Sequence, residues 1–338
     1  MSKTIKMISS YASFRPALGP HKPVTIRLQL RLSQIIDVHE IDQIMSCSVW
    51  LKQVWIDKRL SWDPKNYGGV SVLYVPNEML WVPDIILYNN ADSYYNITIS
   101  TKATLHYSGQ VTWEPPAIFK SMCQIDFRYS EELEKTATSF FRFPFDEQKC
   151  FLKFGSWTYS DSLLRLELLD ENVRYEEEVN ERGIVDNITI AEDGIDLSDY
   201  YPSVEWDIMS RTGIRRSKYY PTCCRESPYN DITYYLNLRR KPLFYTVNLV
   251  FPCVGISFLT IAVFYLPSYS GEKVTLCILI LVALTVFILL LVKTMPLWMR
   301  TVFLDWLPKF LLMERRVDDY EKSSRRVTSQ ETIGLFSC

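Results

Sequence analysis

Electron-rich rings and thiols are the residue types in this sequence with the chemistry to build a site. Aromatic residues make up 14% of the 338-residue chain, among them 21 Tyr and 9 Trp. Ring faces attract a cation that has no hydrogen to donate, and the attraction reaches about 2 kcal/mol or more when the pair is desolvated. The same rings form strands and fill sandwich cores, so number alone does not separate binding from packing. Of the eight cysteines, Cys123 and Cys150 bracket 26 residues. A disulfide closing that loop would stabilise by roughly 3–4 kcal/mol on a chain-entropy argument. Cys223 and Cys224 are adjacent, and form either a strained ring or two thiols. Cys253 and Cys277 fall in apolar runs and read as small hydrophobes, while Cys47 and Cys338 have no evident partner. No metal or cofactor is indicated, because no C-x-x-C pair occurs and His21, His39 and His106 are scattered. The sequence has no G-x-S-x-G, H-E-x-x-H or P-loop and no His placed as base beside a nucleophile, so it does not read as an enzyme. A net charge of −2 gives no reason to expect nucleic acid as a partner.

The elements that must hold these residues fall into two kinds. From Lys22 the pattern has period two: Val24, Ile26, Leu28 and Leu30 alternate with Thr25, Arg27, Gln29 and Arg31. Further short strands are expected in Gln43–Lys58, Val70–Tyr74 and Ala103–His106. Between them lie Asp63-Pro64, Gly68-Gly69, Ser108-Gly109 and Pro115-Pro116 as turn material. Residues 1–240 therefore read as one all-β, immunoglobulin-like sandwich. Beyond it, Leu243–Leu266 is strongly apolar, and Val274–Val292 is 19 residues without a charge or a helix breaker. At about 1.5 Å per residue each run is one bilayer crossing. The short linker Pro267–Lys273 makes them an antiparallel helical hairpin. One face of the second helix carries Thr275, Leu279, Val282, Val286 and Leu289 or Leu290. The chain thus divides into a sandwich (1–240), a membrane part (241–293) and an amphipathic helix with a polar tail (294–338). Asn96-Ile97-Thr98 and Asn187-Ile188-Thr189 are glycosylation sequons, which with the cysteines favour an oxidising, extracellular compartment. The first residues are not a secretory signal, so the expectation is that the true N-terminus is missing.

Cys123-Gln-Ile-Asp, Phe143-Pro-Phe-Asp-Glu-Gln-Lys-Cys150, the Cys223-Cys224 pair and the Gly271-Glu272-Lys273 flank of the second span together resemble a Cys-loop receptor subunit. Within that family the chain is similar to a nicotinic acetylcholine receptor α-type subunit, from about Lys22 to Met313. The resemblance implies a β-sandwich ligand-binding domain and a helical membrane domain, assembled as a homo- or hetero-pentamer around a pore in the plasma membrane. It implies an acetylcholine-like cationic ligand held in an aromatic cage at subunit interfaces. Tyr88, Trp157, Tyr220 and Tyr229, with Cys223 and Cys224, match the principal face, and Trp55 matches the complementary face supplied by a neighbour. It implies disulfides Cys123–Cys150 and Cys223–Cys224. Coupling positions follow at Glu40, Phe143, Pro144, Phe145 and Arg239. Pore positions follow at Glu272, Thr275, Leu279, Val282 and Val286, with Glu272 in an inner ring that favours cations.

Departures from the family pattern are equally legible. The loop between Cys123 and Cys150 is longer than the family's, with the extra piece near Tyr129–Arg142. Tyr220 stands one residue further from Cys223 than the common pattern, and Thr112 and Glu114 replace larger or apolar groups. Leu279 and Val282 make a dry lining, suited to gating by dewetting. After Val292 the chain runs at once into Lys293–Met313, which resembles the amphipathic helix that follows the family's third span. The third and fourth spans are expected to be missing. A non-conducting, membrane-anchored ligand-binding or modulatory subunit is accordingly the alternative function.

Overall fold

The computed structural model describes residues 12, 14–17, 19, 22–39, 42–92, 101–123, 145–170, 172–179, 185–220, 224–263, 265 and 272–294. Within these, side chains are left undescribed at 179, 185–186, 220, 224–226, 249, 272–274 and 288–294. Two compact units result, Met1–Pro242 and Leu243–Cys338.

The first unit is two facing sheets of fourteen strands in all. One contains β1 (Val24–His39), β2 (Ile44–Ile56), β3 (Val72–Pro76), β5 (Lys102–His106), β6 (Gln110–Trp113), β7 (Pro116–Met122), β9 (Leu164–Leu168) and β12 (Ile195–Asp196). The other runs in the order β10 (Val173–Val179), β11 (Val185–Ala191), β13 (Trp206–Tyr220), β14 (Cys224–Arg240), β8 (Glu147–Ser156) and β4 (Ile85–Leu87). Alternation in sequence becomes alternation in burial. Val24, Ile26, Leu28, Leu30 and Leu32 point inward from β1, and Met45, Cys47, Val49, Leu51, Gln53 and Trp55 from β2. The second sheet contributes Cys150, Leu152, Phe154, Ile232, Tyr234, Leu236 and Leu238. Each large apolar side chain so removed from water is worth about 1.5–3 kcal/mol. Phe119 of β7 meets Phe154 of β8 across the sandwich, edge to face at 5.4 Å between centroids. The disulfide Cys123–Cys150 joins the end of β7 to β8, and so links the two sheets. Cys47 stays a free thiol; burial pushes its pKa up to about 12, so it remains a protonated core residue.

The second unit contains the two apolar helices. The first is a continuous helical run from Leu243 to Val263, which is 21 residues with mean hydropathy 2.0, long and apolar enough to cross a membrane. It widens to a π turn at Thr246–Val250, just before Pro252. Proline has no N–H to donate into the preceding turn, and a widened turn accommodates that loss. The second helix is Glu272–Thr294. Hydroxyls in both fold back onto the backbone: Ser257 Oγ donates to Cys253 O at 2.9 Å, and Thr285 Oγ1 to Val282 O at 2.8 Å. A polar group in hydrocarbon needs such an internal partner.

Candidate functional site

Asp84 builds the site by fixing the segment that follows β8. Its Oδ1 accepts from Ser156 Oγ at 2.7 Å, its Oδ2 from the Thr158 N–H at 2.7 Å, and its carbonyl from the Trp157 N–H at 3.2 Å. Ser156 Oγ accepts in turn from the Tyr159 N–H at 2.9 Å. Four bonds thus hold the backbone on both sides of Trp157, while its indole is 71% exposed. A tryptophan this exposed on so constrained a backbone forgoes burial that its size would otherwise favour.

Tyr88 stands beside it, with ring centroids 6.4 Å apart and planes at 62°. Its hydroxyl donates to Ser156 O at 2.6 Å. Gly155 makes room for that ring, since a Cβ there would lie 2.5 Å from Tyr88 atoms. On the same strand Lys153 places Nζ 5.8 Å from the Tyr88 centroid and 3.4 Å from Asp231 Oδ1. Burial lowers the Lys153 pKa, and the neighbouring Asp231 carboxylate partly restores it. β14 pairs with β8 with Asp231 opposite Gly155, and extending that register by two residues brings half-buried Tyr229 level with Trp157. Ser217 Oγ donates to Asn230 Oδ1 at 2.6 Å, and Asn230 Nδ2 bonds to Asp161, which ties the β13–β14 hairpin to the loop after Trp157. Tyr88, Trp157 and Tyr229 therefore come to one end of the second sheet. The backbone of Tyr220 pairs with that of Cys224 across the hairpin end. The Tyr220 and Cys224 side chains, and Cys223 altogether, lie outside the described residues.

Trp55 is corrected by the structure. It is 2% exposed, on the inward side of β2, edge to face with Trp81 at 6.2 Å. Trp81 in turn contacts Tyr159 at 6.4 Å. Trp55 thus supports the Asp84–Tyr159 region from within and offers no ring to a neighbour. The outward ring of β2 is Trp50, an odd number of residues earlier on an alternating strand. That alternation was available in the sequence. Asp84, Lys153 and Asp231 carried no comparable signal, because strands distant in sequence bring them together.

The coupling set divides similarly. Phe145 is exposed, and Arg239 makes an exposed bond to Glu147 at 2.9 Å. Its neighbour Arg240 is buried, with Nε 2.7 Å from Asp146 Oδ1 and its guanidinium 4.3 Å from the Trp206 centroid. Glu40, Phe143, Pro144 and the extra piece near Tyr129–Arg142 lie outside the described residues. In the second unit Thr275, Leu279, Val282 and Val286 are exposed. Ile278 and Leu281 on other faces are too, so exposure does not single out one face. The Glu272 side chain is not described. Asn187 is exposed on β11, and Asn96 lies outside the described residues. No group able to hold a metal ion occurs among the described residues.

Comparison with known proteins gives two matches in order along the chain. Residues 4–242 match the neurotransmitter-gated ion-channel ligand binding domain, and residues 249–297 the neurotransmitter-gated ion-channel transmembrane region. An acetylcholine receptor subunit alpha-type (unc-38) of Caenorhabditis elegans is 64% identical, over 91% of this chain and 66% of its own length. An acetylcholine receptor non-alpha chain of Onchocerca volvulus is 56% identical, over 90% of this chain and 80% of its own. A second alpha-type subunit of Caenorhabditis elegans (unc-63) is 47% identical, over 89% and 66%. The chain thus spans just under two thirds of the length of the alpha-type relatives. The first alignment runs over 352 positions against 338 residues here, so that relative contains residues with no counterpart in this chain.

Proposed function

Because this chain belongs to the neurotransmitter-gated ion-channel family, we propose that it is an acetylcholine-receptor-type subunit that binds a cationic amine on the face formed by Tyr88, Trp157 and Tyr229. Family membership makes it a channel-type subunit and not an enzyme. Its sandwich is the extracellular ligand-binding domain, and its helices belong to the plasma membrane. The ligand site is completed by a neighbouring chain in a pentamer, since one face alone leaves Trp157 uncovered. Lys153 stays paired with Asp231, which keeps its charge from opposing the ligand. The pore in the full assembly is lined by Thr275, Leu279, Val282 and Val286, with Glu272 biasing it toward cations. The observation that carries the reading is the fixed, 71% exposed indole of Trp157 beside Tyr88.

The test is equilibrium binding of acetylcholine to the full chain in membranes, alone and with a related subunit. Trp157→Ala should weaken binding by about 2 kcal/mol or more, and Trp157→Phe by less. An unchanged dissociation constant for Trp157→Ala would sink the cage. A second reading, a non-conducting modulatory subunit, is favoured by the residues of the first relative that this chain lacks. It predicts ligand binding without current.

A further inference from the structure

The hairpin of β10 and β11 ends the second sheet, and one of its two faces is open. β10 stands first in the strand order and pairs with β11 along its 7 residues. β11 in turn pairs with β13 through Thr189, Ile190 and Ala191, so the end of the hairpin beyond Thr189 extends past that pairing. A two-stranded ribbon is marginal in water unless something covers a face. Residues paired across an antiparallel ladder share a face, and neighbours along a strand alternate. One face carries Arg174, Glu178 and Ile188. It is closed: Ile188 is buried, Arg174 pairs with Glu192, and Glu178 Oε2 accepts from Arg216 Nε at 3.0 Å. Arg216 also donates to the Tyr235 hydroxyl at 3.0 Å, which ties this face to β14. The other face carries Tyr175 opposite Thr189 and Glu177 opposite Asn187. Tyr175 is 79% exposed there, a ring held out into water on the last strand of a sheet.

Asn187-Ile188-Thr189 is a sequon. The ladder turns Asn187 and Thr189 to the open face while Ile188 points away from it, and Asn187 is exposed. Tyr175 is the diagonal neighbour of Asn187, a separation of about 7–8 Å that an aromatic side chain spans. We propose that Asn187 carries an N-linked glycan and that the Tyr175 ring is the platform on which its first N-acetylglucosamine rests. The donor is a lipid-linked oligosaccharyl diphosphate. Asn187 Nδ2 attacks the anomeric carbon, the new N–C bond replaces the C–O bond to the diphosphate, the lipid diphosphate leaves and the amide loses one proton. The C–H groups on one side of a pyranose are electropositive and the face of an aromatic ring is negative, so the two stack. The sugar covers the open face of the ribbon and shields the edge of β10 from pairing with another strand. It also keeps this edge of the sandwich in solvent and clear of a neighbouring chain. The inference needs the sandwich to be extracellular, as family membership makes it, and is independent of the aromatic cage.

The test uses the full chain in membranes, expressed with high-mannose glycans. Asn187→Gln and Thr189→Val should each increase gel mobility by one glycan, Thr189→Ser should not, and Asn96→Gln reports the other sequon separately. Unchanged mobility in Asn187→Gln overturns the proposal. Stacking is read by amide hydrogen exchange in β10, with β8 as the internal reference for folding. Endoglycosidase H leaves the first N-acetylglucosamine in place, so trimming should leave exchange in β10 unchanged. Asn187→Gln should speed it about fivefold, as should Tyr175→Ala with its glycan intact, while Tyr175→Phe should match wild type. Combining Asn187→Gln with Tyr175→Ala should add nothing further, because both remove one contact. Where Asn187→Gln fails to reach the surface, removing the whole glycan from the folded wild-type chain with peptide N-glycosidase F gives the same comparison. Exchange in β10 indifferent to Tyr175→Ala, or faster already after endoglycosidase H, overturns the platform. So do losses in the two variants that multiply when combined.

Discussion

Single residues show how position on a strand decides between core and surface. Trp55 and Trp50 share β2, yet one is a pillar beneath Trp81 and the other an outward ring under Arg31. Trp55→Ala should cost about 3–5 kcal/mol of stability, the usual range for emptying a buried aromatic site. Denaturant unfolding measures it, and a variant as stable as wild type would refute the buried placement. Lys153 makes a pH prediction. Its folded pKa is lowered below 10.5, so the folded chain binds fewer protons than the unfolded chain between those values. Stability contributed by this group therefore rises with pH through that window and is flat above it. Lys153→Met has no proton to lose, so the stability of the wild type relative to the variant should rise as pH climbs toward 10.5. A constant difference from neutral pH upward contradicts the assignment.

At the scale of elements, two junctions depend on carboxylates. Asp84 ties the segment before β4 to the segment after β8. Asp84→Ala leaves the Thr158 N–H and the Ser156 hydroxyl without that acceptor, at about 1–3 kcal/mol for each group that water does not reach. Acetylcholine binding should weaken in parallel, because Trp157 loses its fixed backbone. Binding unchanged in a destabilised variant would separate the clamp from the site. At the other end of the sandwich, Arg240 is buried against Asp146 and Trp206, whereas Arg239 pairs with Glu147 in solvent. Arg240→Ala strands a largely buried carboxylate and should destabilise by about 3–5 kcal/mol. Arg239→Ala should cost about 0–1 kcal/mol. Equal losses in the two variants would show that burial is not what distinguishes them.

At the scale of the whole molecule, the Cys123–Cys150 bridge joins both sheets, so a non-reduced digest should recover it. The same digest should recover Cys223–Cys224 as a linked pair; two alkylated thiols there contradict the expectation. Assembly follows from an incomplete ligand site. The extracellular domain should form pentamers, and in a conducting assembly that contains this chain Glu272→Ala should lower the preference for cations. Particle images showing only monomers, or a channel selective for anions, would each count against that account.

Sequence by itself determined the class of fold. Period-two burial in β1, the breaker-free run Val274–Val292 and the bracketing cysteines are local patterns, and local patterns survive without coordinates. It also marked Tyr88, Trp157 and Tyr229 as candidate rings. Only the tertiary structure decided which face of β2 meets solvent, showed that Arg240 is buried beside the exposed Arg239, and revealed the Asp84 clamp and the Lys153–Asp231 pair. Arg31, Glu114, Asp196 and Asp199 are far apart along the chain and become one cluster only through strand pairing. Register is the physical reason. A shift of one residue turns every side chain of a strand to the other face, and the shift is set by partners that no local window contains.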